Sequence, residues 1–316
     1  MTYILGIDTS AYTTSIALID AESNKILADE RKVLEVGRGQ KGLRQQEAVF
    51  QHLKNLPVLY GKIAQDITKV KTISVSSKPR NEDDSYMPVF IVGQNFGKVI
   101  SHTLNCSYIE YSHQENHISA SLIDNYKNID DRVLAVHISG GTTEFVSARK
   151  AIKGFETKIV GGTKDITFGQ LIDRLGTLME FPFPCGKYME EYLLGKHAEE
   201  IKTPAISKES YINLSGMENY YGNLLNKHTK ENIINSLFKY IAECILHIIR
   251  SLSYLSFKTV IISGGVASNR CIRNYIIDNI KDYEIIFPAV ENSSDNAVGL
   301  AFLPIIDRWY NENKTN

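Results

Sequence analysis

The chain has 316 residues, 43% of them hydrophobic and 22% charged, which excludes a disordered or fibrous protein and provides for a sizeable core. Lys and Arg total 35 against 36 Asp and Glu, a formal net charge of -1, so no global field draws the chain toward nucleic acid or anionic lipid. No apolar run reaches the roughly 18 residues of a membrane span, and Asp8 stands directly behind Tyr3-Ile4-Leu5-Gly6-Ile7, where a signal peptide needs apolar residues, so a cytoplasmic protein without membrane contact is expected.

The opening YILGIDTSAYTTSIALID predicts strand, polar hydroxyl-rich turn and strand. Val49, Leu53, Leu56 and Tyr60 recur at helical spacing within 45–64, and Thr72 to Val75 reads as a short strand. The charged, proline-bearing SSKPRNEDDS, 76–85, predicts an exposed loop. A helix over 89–104, a strand over 108–111 and a helix opening at His113 follow. Further on, a helix over 167–179 precedes a proline-punctuated turn, FPFPCG, at 181–186. Ile233, Leu237, Ile241, Cys244, Ile245, Ile248 and Leu252 mark a long helix over 229–255, with Thr229 as its N-cap. A strand at 259–263, a Gly264-Gly265 turn, a helix opening near Asn269 and a final helix led by Asp295 complete the alternation of an α/β protein. Cys106, Cys185, Cys244 and Cys271 are scattered with no CxxC pair, so reduced thiols are expected.

An internal repeat stands out. ILGIDTSAYTTSIA from Ile4 lies over VLAVHISGGTTEFV from Val133 without a gap, placing Ser10 on Ser139, Thr13 on Thr142 and Thr14 on Thr143. Two related lobes with a ligand cleft between them would follow. The expected division is 1–118 for the N-terminal lobe and 119–295 for the C-terminal lobe, with a final helix over about 296–316 packing back on the first.

Three glycine pairs follow strands: Ser139-Gly140-Gly141-Thr142, Val160-Gly161-Gly162-Thr163 and Ser263-Gly264-Gly265-Val266. Each alone is also an ordinary tight turn; together they suggest phosphate, because glycine lets backbone amides approach an anion and a following helix adds its dipole. His113 and His117 in YSHQENHIS stand four apart, so a helix turns both imidazoles to one face within reach of one metal ion. Two solvated helix histidines would show the same spacing, so a third ligand is needed. Glu115 does not directly follow the first histidine as in HExxH, which leaves a metallopeptidase without its general base.

YSHQENHISA, LAVHISGGTTEFV, TFGQLIDRLG with FPFPCG, NLSGMEN, ISGGVASNR and NSSDNAVGLA occur in the order and approximate spacing of the motifs of the TsaD family, formerly called Gcp or O-sialoglycoprotein endopeptidase, and the resemblance covers almost the whole chain. It implies the two-lobed actin, sugar kinase and Hsp70-like ATPase (ASKHA) fold, in agreement with the repeat, and synthesis of threonylcarbamoyladenosine in tRNA. It places His113, His117 and Asp295 around one divalent metal, Fe(II) or Zn(II). It places an adenine nucleotide, as threonylcarbamoyl-adenylate, ATP or AMP, against Ile138, Ser139, Gly140, Gly141, Thr142, Asp173, Gly186 and Asn269. tRNA and TsaB-like and TsaE-like proteins are the partners it implies.

The chain also departs from the family pattern. Where members usually begin E-T-S-C-D-E-T, this chain has Asp8-Thr9-Ser10-Ala11-Tyr12-Thr13-Thr14, so Tyr12 occupies the family's acidic position and the catalytic group is unassigned. SSKPRNEDDS replaces a Gly-Pro-Gly loop, Thr142 replaces the histidine of SGGHT, and Gln170 in GQLIDR replaces a glutamate. The expected function is a metal-dependent threonylcarbamoyl (acyl) transferase of the TsaD type acting on N6 of a tRNA adenosine. The alternative is a divergent nucleotide- and metal-binding paralogue with a changed acceptor or a non-catalytic regulatory or partner role.

Overall fold

The computed structural model describes residues 2–10, 12–36, 43–82, 84–206 and 209–314. Ala11 of the first turn, Asp83 of the charged stretch and residues 315 and 316 of the expected final helix lie outside them. The chain divides into two compact units, the first comprising Met1–Ile129, Arg149–Thr157 and Pro288–Asn316, the second Asp130–Ala148 and Lys158–Phe287.

The first unit opens with β1 (Tyr3–Asp8), β2 (Thr13–Asp20) and β3 (Ile26–Val33), then α1 (Gln45–Ile63), β4 (Val70–Lys78), α2 (Phe90–Leu104), β5 (Ser107–Ser112) and α3 (His113–Leu122). Its sheet has the order β3-β2-β1-β4-β5. β1 pairs antiparallel with β2 and parallel with β4, and β4 runs parallel to β5. Leu5, Ile7, Ile16, Leu18, Ile73 and Val75 pack with Leu56 and Leu59 of α1 and Val92 and Ile100 of α2. β3 was not expected: ILADERKV lacks the apolar alternation of a half-buried strand, and it is stabilised as a mostly solvated edge paired with β2. Ser76–Lys78 are not loop as expected but the end of β4, because they pair with Tyr111 and Ser112, and Ser76 is fully buried.

The second unit runs β6 (Arg132–Ile138), β7 (Thr143–Lys150), β8 (Phe155–Thr163), α4 (Phe168–Leu178), α5 (Cys185–Leu193), β9 (Tyr211–Ile212), α6 (Ser215–Leu224), α7 (Lys230–Ser251), β10 (Thr259–Ser263), α8 (Arg270–Asn279) and β11 (Glu284–Ile286), with the tip of the β7–β8 hairpin counted in the first unit. Its sheet order is β11-β10-β6-β7-β8-β9. The repeat is therefore structural: β6, β7, β8, β10 and β11 take the sheet positions of β1, β2, β3, β4 and β5. α7 has the length and composition of a membrane span, but 78% of its apolar window is buried; its Ile and Leu side chains form the middle of this unit's core. All four cysteines are free.

The chain then returns to the first unit as α9 (Val290–Ser293) and α10 (Val298–Lys314). α10 lies against β1 so closely that a Cβ on Gly6 would stand 2.3 Å from the Ala297 carbonyl oxygen, which explains glycine in an otherwise apolar strand. Asp295 does not lead this helix as expected. It sits in the link between α9 and α10, and Asn296 supplies the cap, its Oδ1 accepting from Val298 N at 2.9 Å and Gly299 N at 3.3 Å.

Candidate functional site

α3 begins sharply because Ser112 and Glu115 form a capping box: Ser112 Oγ accepts from Glu115 N at 3.2 Å, and Glu115 Oε2 accepts from Ser112 N at 2.7 Å. The remaining Glu115 oxygen accepts from Phe155 N at 2.9 Å. Glu115 is thus a buried structural carboxylate, as its offset from the HExxH position suggested.

His113 and His117, on successive turns of α3, face each other with Nε2 atoms 3.0 Å apart. Asp295 Oδ1 lies 3.6 Å from His113 Nε2 and 3.4 Å from His117 Nε2. Two ligands about 2.1 Å from a tetrahedral ion stand roughly 3.4 Å from each other, so the three separations fit one shared cation. The donor set, two imidazoles and a carboxylate, suits Fe(II) or Zn(II). The electrostatics also call for positive charge. Burial opposes protonation of His113, but the Asp8 and Asp295 carboxylates outweigh it and raise this imidazole to about 10. Burial pushes the Asp295 carboxyl up, and the two histidines more than reverse this, holding it well below the usual carboxylate range.

Three further residues shape this centre, and none was marked by the sequence patterns. Asp8, at the end of β1, meets the other ring nitrogen of His113, Nδ1, at 2.9 Å. Asn116, buried on α3, donates to the Asn296 carbonyl and accepts from Leu300 N at 2.8 Å. Arg31 of β3 donates to the Glu291 carbonyl at 2.6 Å, Ser294 Oγ at 2.9 Å and the Asp295 carbonyl at 3.4 Å, holding the segment that carries Asp295.

The expected nucleotide contacts all belong to the second unit. Ile138 ends β6, and 139–142 close a turn in which Ser139 N donates to the Thr142 carbonyl at 2.8 Å and Thr142 N to Ser139 Oγ at 3.1 Å. Gly140 and Gly141 are exposed, and a Cβ on either would meet nothing within 4 Å. Protein packing does not demand these glycines, whereas the close approach of a phosphate would. Gly264, by contrast, is needed by the fold: its φ is +98° and a Cβ would stand 2.3 Å from the Ile138 carbonyl oxygen. α4 starts beside the turn, capped by Thr167, whose hydroxyl donates to the Gly140 carbonyl at 2.8 Å. Gln170 completes that capping box, so the residue replacing the family glutamate has a structural role here.

Asp173 Oδ1 accepts from Cys185 N at 2.7 Å and so caps α5, a helix the FPFPCG punctuation had concealed. Gly186 is the second residue of α5, 3.6 Å from Ile172 Cγ2 as measured from an ideal Cβ. Asn269 caps α8 through Oδ1, which accepts from Ile272 N at 3.1 Å, while its buried Nδ2 finds no acceptor among the described residues. An orphaned buried donor is costly unless a ligand oxygen or nitrogen accepts from it. Arg270 N donates to Glu190 Oε2 at 3.2 Å, tying the start of α8 to α5. The Gly161-Gly162 pair does not belong to this cradle: it lies within β8, where Cβ atoms would collide with the Ser210 and Thr143 carbonyls, so β-sheet crowding and not phosphate explains it.

The chain matches the profile of the TsaD family, described as tRNA N6-adenosine threonylcarbamoyltransferase, over residues 38–302. Among curated relatives, the tRNA N6-adenosine threonylcarbamoyltransferase of Sulfurihydrogenibium sp. is 28% identical over 315 residues, covering 95% of this chain and 88% of its own. Among solved structures, T. kodakarensis HypF is similar with a TM-score of 0.62 at 12% identity, over 96% of this chain and 48% of that one. A ROK family glucokinase from Streptomyces griseus has a TM-score of 0.52 at 10% identity, over 95% and 98%. The fold is that of the ASKHA proteins.

Proposed function

The chain belongs to the TsaD family of tRNA N6-adenosine threonylcarbamoyltransferases, and from that premise we propose that it is a metal-dependent acyltransferase that uses threonylcarbamoyl-adenylate. The observation that carries this is the donor triangle of His113, His117 and Asp295, whose separations suit one divalent ion. An ion held there supplies Lewis-acid polarisation of the carbamoyl oxygen.

In the reaction a C–N bond forms between the acceptor N6 and the carbamoyl carbon, the C–O bond to the AMP phosphate breaks so that AMP leaves, and the proton of the attacking nitrogen passes to water. The second unit's task is binding and orientation. The amides of Gly140 and Gly141 and the Ser139–Thr142 turn hold phosphate, Asn269 Nδ2 donates to the adenosine, and Asp173 and Gly186 line its other side. Holding the two reactants in register provides much of the acceleration, and no covalent enzyme intermediate is needed. tRNA as acceptor, TsaB-like and TsaE-like proteins as partners and a cytoplasmic location belong to the same proposal.

Tyr12 favours a second reading, a paralogue with a changed acceptor or a non-catalytic role. It is 44% exposed in the first turn, while Asp8, Thr9 and Ser10 are buried, so the described part of that turn offers no accessible carboxylate. Incubating the metal-loaded protein with threonylcarbamoyl-adenylate, tRNA and the family's partner proteins, then assaying tRNA for threonylcarbamoyladenosine, separates the two. Modified adenosine supports the transferase; retained nucleotide and metal binding without modification supports the paralogue.

A further inference from the structure

Asp8 is fully buried, and among the described residues no Lys or Arg pairs with it. Its oxygens receive Ser10 N at 3.2 Å, Ser10 Oγ at 2.8 Å, the Ser76 hydroxyl, Asn116 Nδ2 at 3.4 Å and His113 Nδ1 at 2.9 Å. A carboxylate offers about four lone-pair sites and no donor when ionised. With donors on every side, Asp8 is an acceptor only, so His113 Nδ1 carries a hydrogen toward it and Nε2 is the nitrogen left to meet a metal ion. We propose that Asp8 is a positioning residue of the metal centre, fixing His113 as the Nδ1–H tautomer with Nε2 turned to His117 and Asp295.

The arrangement reaches beyond one ring. Ser10 brings the first turn to the carboxylate and Ser76 brings β4, so the angle of the imidazole is set by two elements besides its own. Asn116, which also touches Asp8, donates to the carbonyl next to Asp295. One buried network thereby sets both a histidine donor and the backbone carrying the carboxylate donor. A carboxylate behind a ligating imidazole fixes its orientation and raises its basicity. Asp8 is not itself a fourth ligand, because it meets the nitrogen on the far side of the ring.

This inference rests on the metal-site reading above, and the experiment separates the two. Zn(II) affinity of the full chain is measured by competition with a chromophoric chelator for the wild type, Asp8→Asn, Asp8→Glu and His113→Ala. Asp8→Asn, which keeps the shape and loses the charge, should weaken Zn(II) binding by about 10- to 100-fold and shift the visible absorption of the Co(II) form; Asp8→Glu should restore part of the affinity. Wild-type affinity and an unchanged Co(II) spectrum in Asp8→Asn, with metal lost in His113→Ala, overturn the positioning role alone. Metal retained by His113→Ala overturns the site itself. A readout independent of any variant is the proton–nitrogen NMR correlation of the Zn(II)-loaded wild type: His113 protonated on Nδ1 and ligating through Nε2 is the expected pattern, and ligation through Nδ1 overturns the proposal.

Discussion

His117 Nε2 stands 3.0 Å from His113 Nε2, with the rings nearly perpendicular at an interplanar angle of 78°. Ring nitrogens this close share a proton or a cation between them. With Asp295 completing the triangle, His113→Ala and His117→Ala should each remove most of the bound metal. The protein should stay folded, because both side chains are partly exposed. Elemental analysis of purified protein gives the metal content, and circular dichroism checks the fold. Wild-type metal content in both variants refutes the assignment.

Asp173 carries a double expectation. Its Oδ1 caps α5 through Cys185 N, so Asp173→Ala should cost about 1 kcal/mol of stability as a lost helix cap. As a proposed nucleotide contact it should also lower AMP affinity by about tenfold or more, the scale of a hydrogen bond to a charged group. Glu82→Ala, an exposed control, should change neither. Calorimetry showing equal AMP affinity in the two variants would remove Asp173 from the site while leaving its cap intact.

Stability should also carry a mark from His52. This ring is fully buried, with Nδ1 2.8 Å from Thr14 Oγ1, and burial, only partly offset by Asp8, pulls it down to about 4 from its ordinary 6.5. Between these values the unfolded chain binds a proton that the folded protein refuses. Stability therefore rises with pH across this window and is lost as pH falls from about 6.5 toward 4, by at most about 3 kcal/mol from this group. Urea unfolding at pH 7 and pH 5 should show a smaller difference in His52→Gln than in the wild type. Identical pH slopes would show that His52 does not hold back this proton.

Which parts were legible in the sequence follows from how local their causes are. β1, β2, α2 and α7 announce themselves because their apolar residues repeat at the period of the element. The repeat from Ile4 to Val133 is visible because both sheets begin with the same strand, turn and strand. β3 escaped notice because an edge strand open to water has no need of buried side chains. α5 escaped because its cap, Asp173, lies 12 residues upstream, before the prolines. The metal donors were legible as the HxxxH spacing and, through the family resemblance, Asp295. The residues that hold them were not: Asp8 meets His113 across 105 residues and Arg31 reaches Asp295 across 264, and no local pattern encodes such meetings.

The first turn sets the last expectation. The family's acidic position holds Tyr12, which is 44% exposed, so that position offers a phenol in place of a carboxylate for general-base work. Asp8 cannot substitute, since it is buried and its oxygens are taken by Ser10, Ser76, Asn116 and His113. If this turn carries the family's acid/base function, metal and nucleotide binding should be retained while transfer to tRNA is slow or absent. Tyr12→Asp is the cleaner attempt at recovery, because the position is open to solvent. Adding Thr13→Glu puts a second carboxylate at the buried start of β2, where Thr13 is only 8% exposed, and should lower stability as well. Assaying tRNA for threonylcarbamoyladenosine with the wild type, Tyr12→Asp and the double variant decides the matter. A gain in Tyr12→Asp over a weak wild type would assign the missing function to the acid, whereas robust transfer by the unmodified protein would show that the turn works without it.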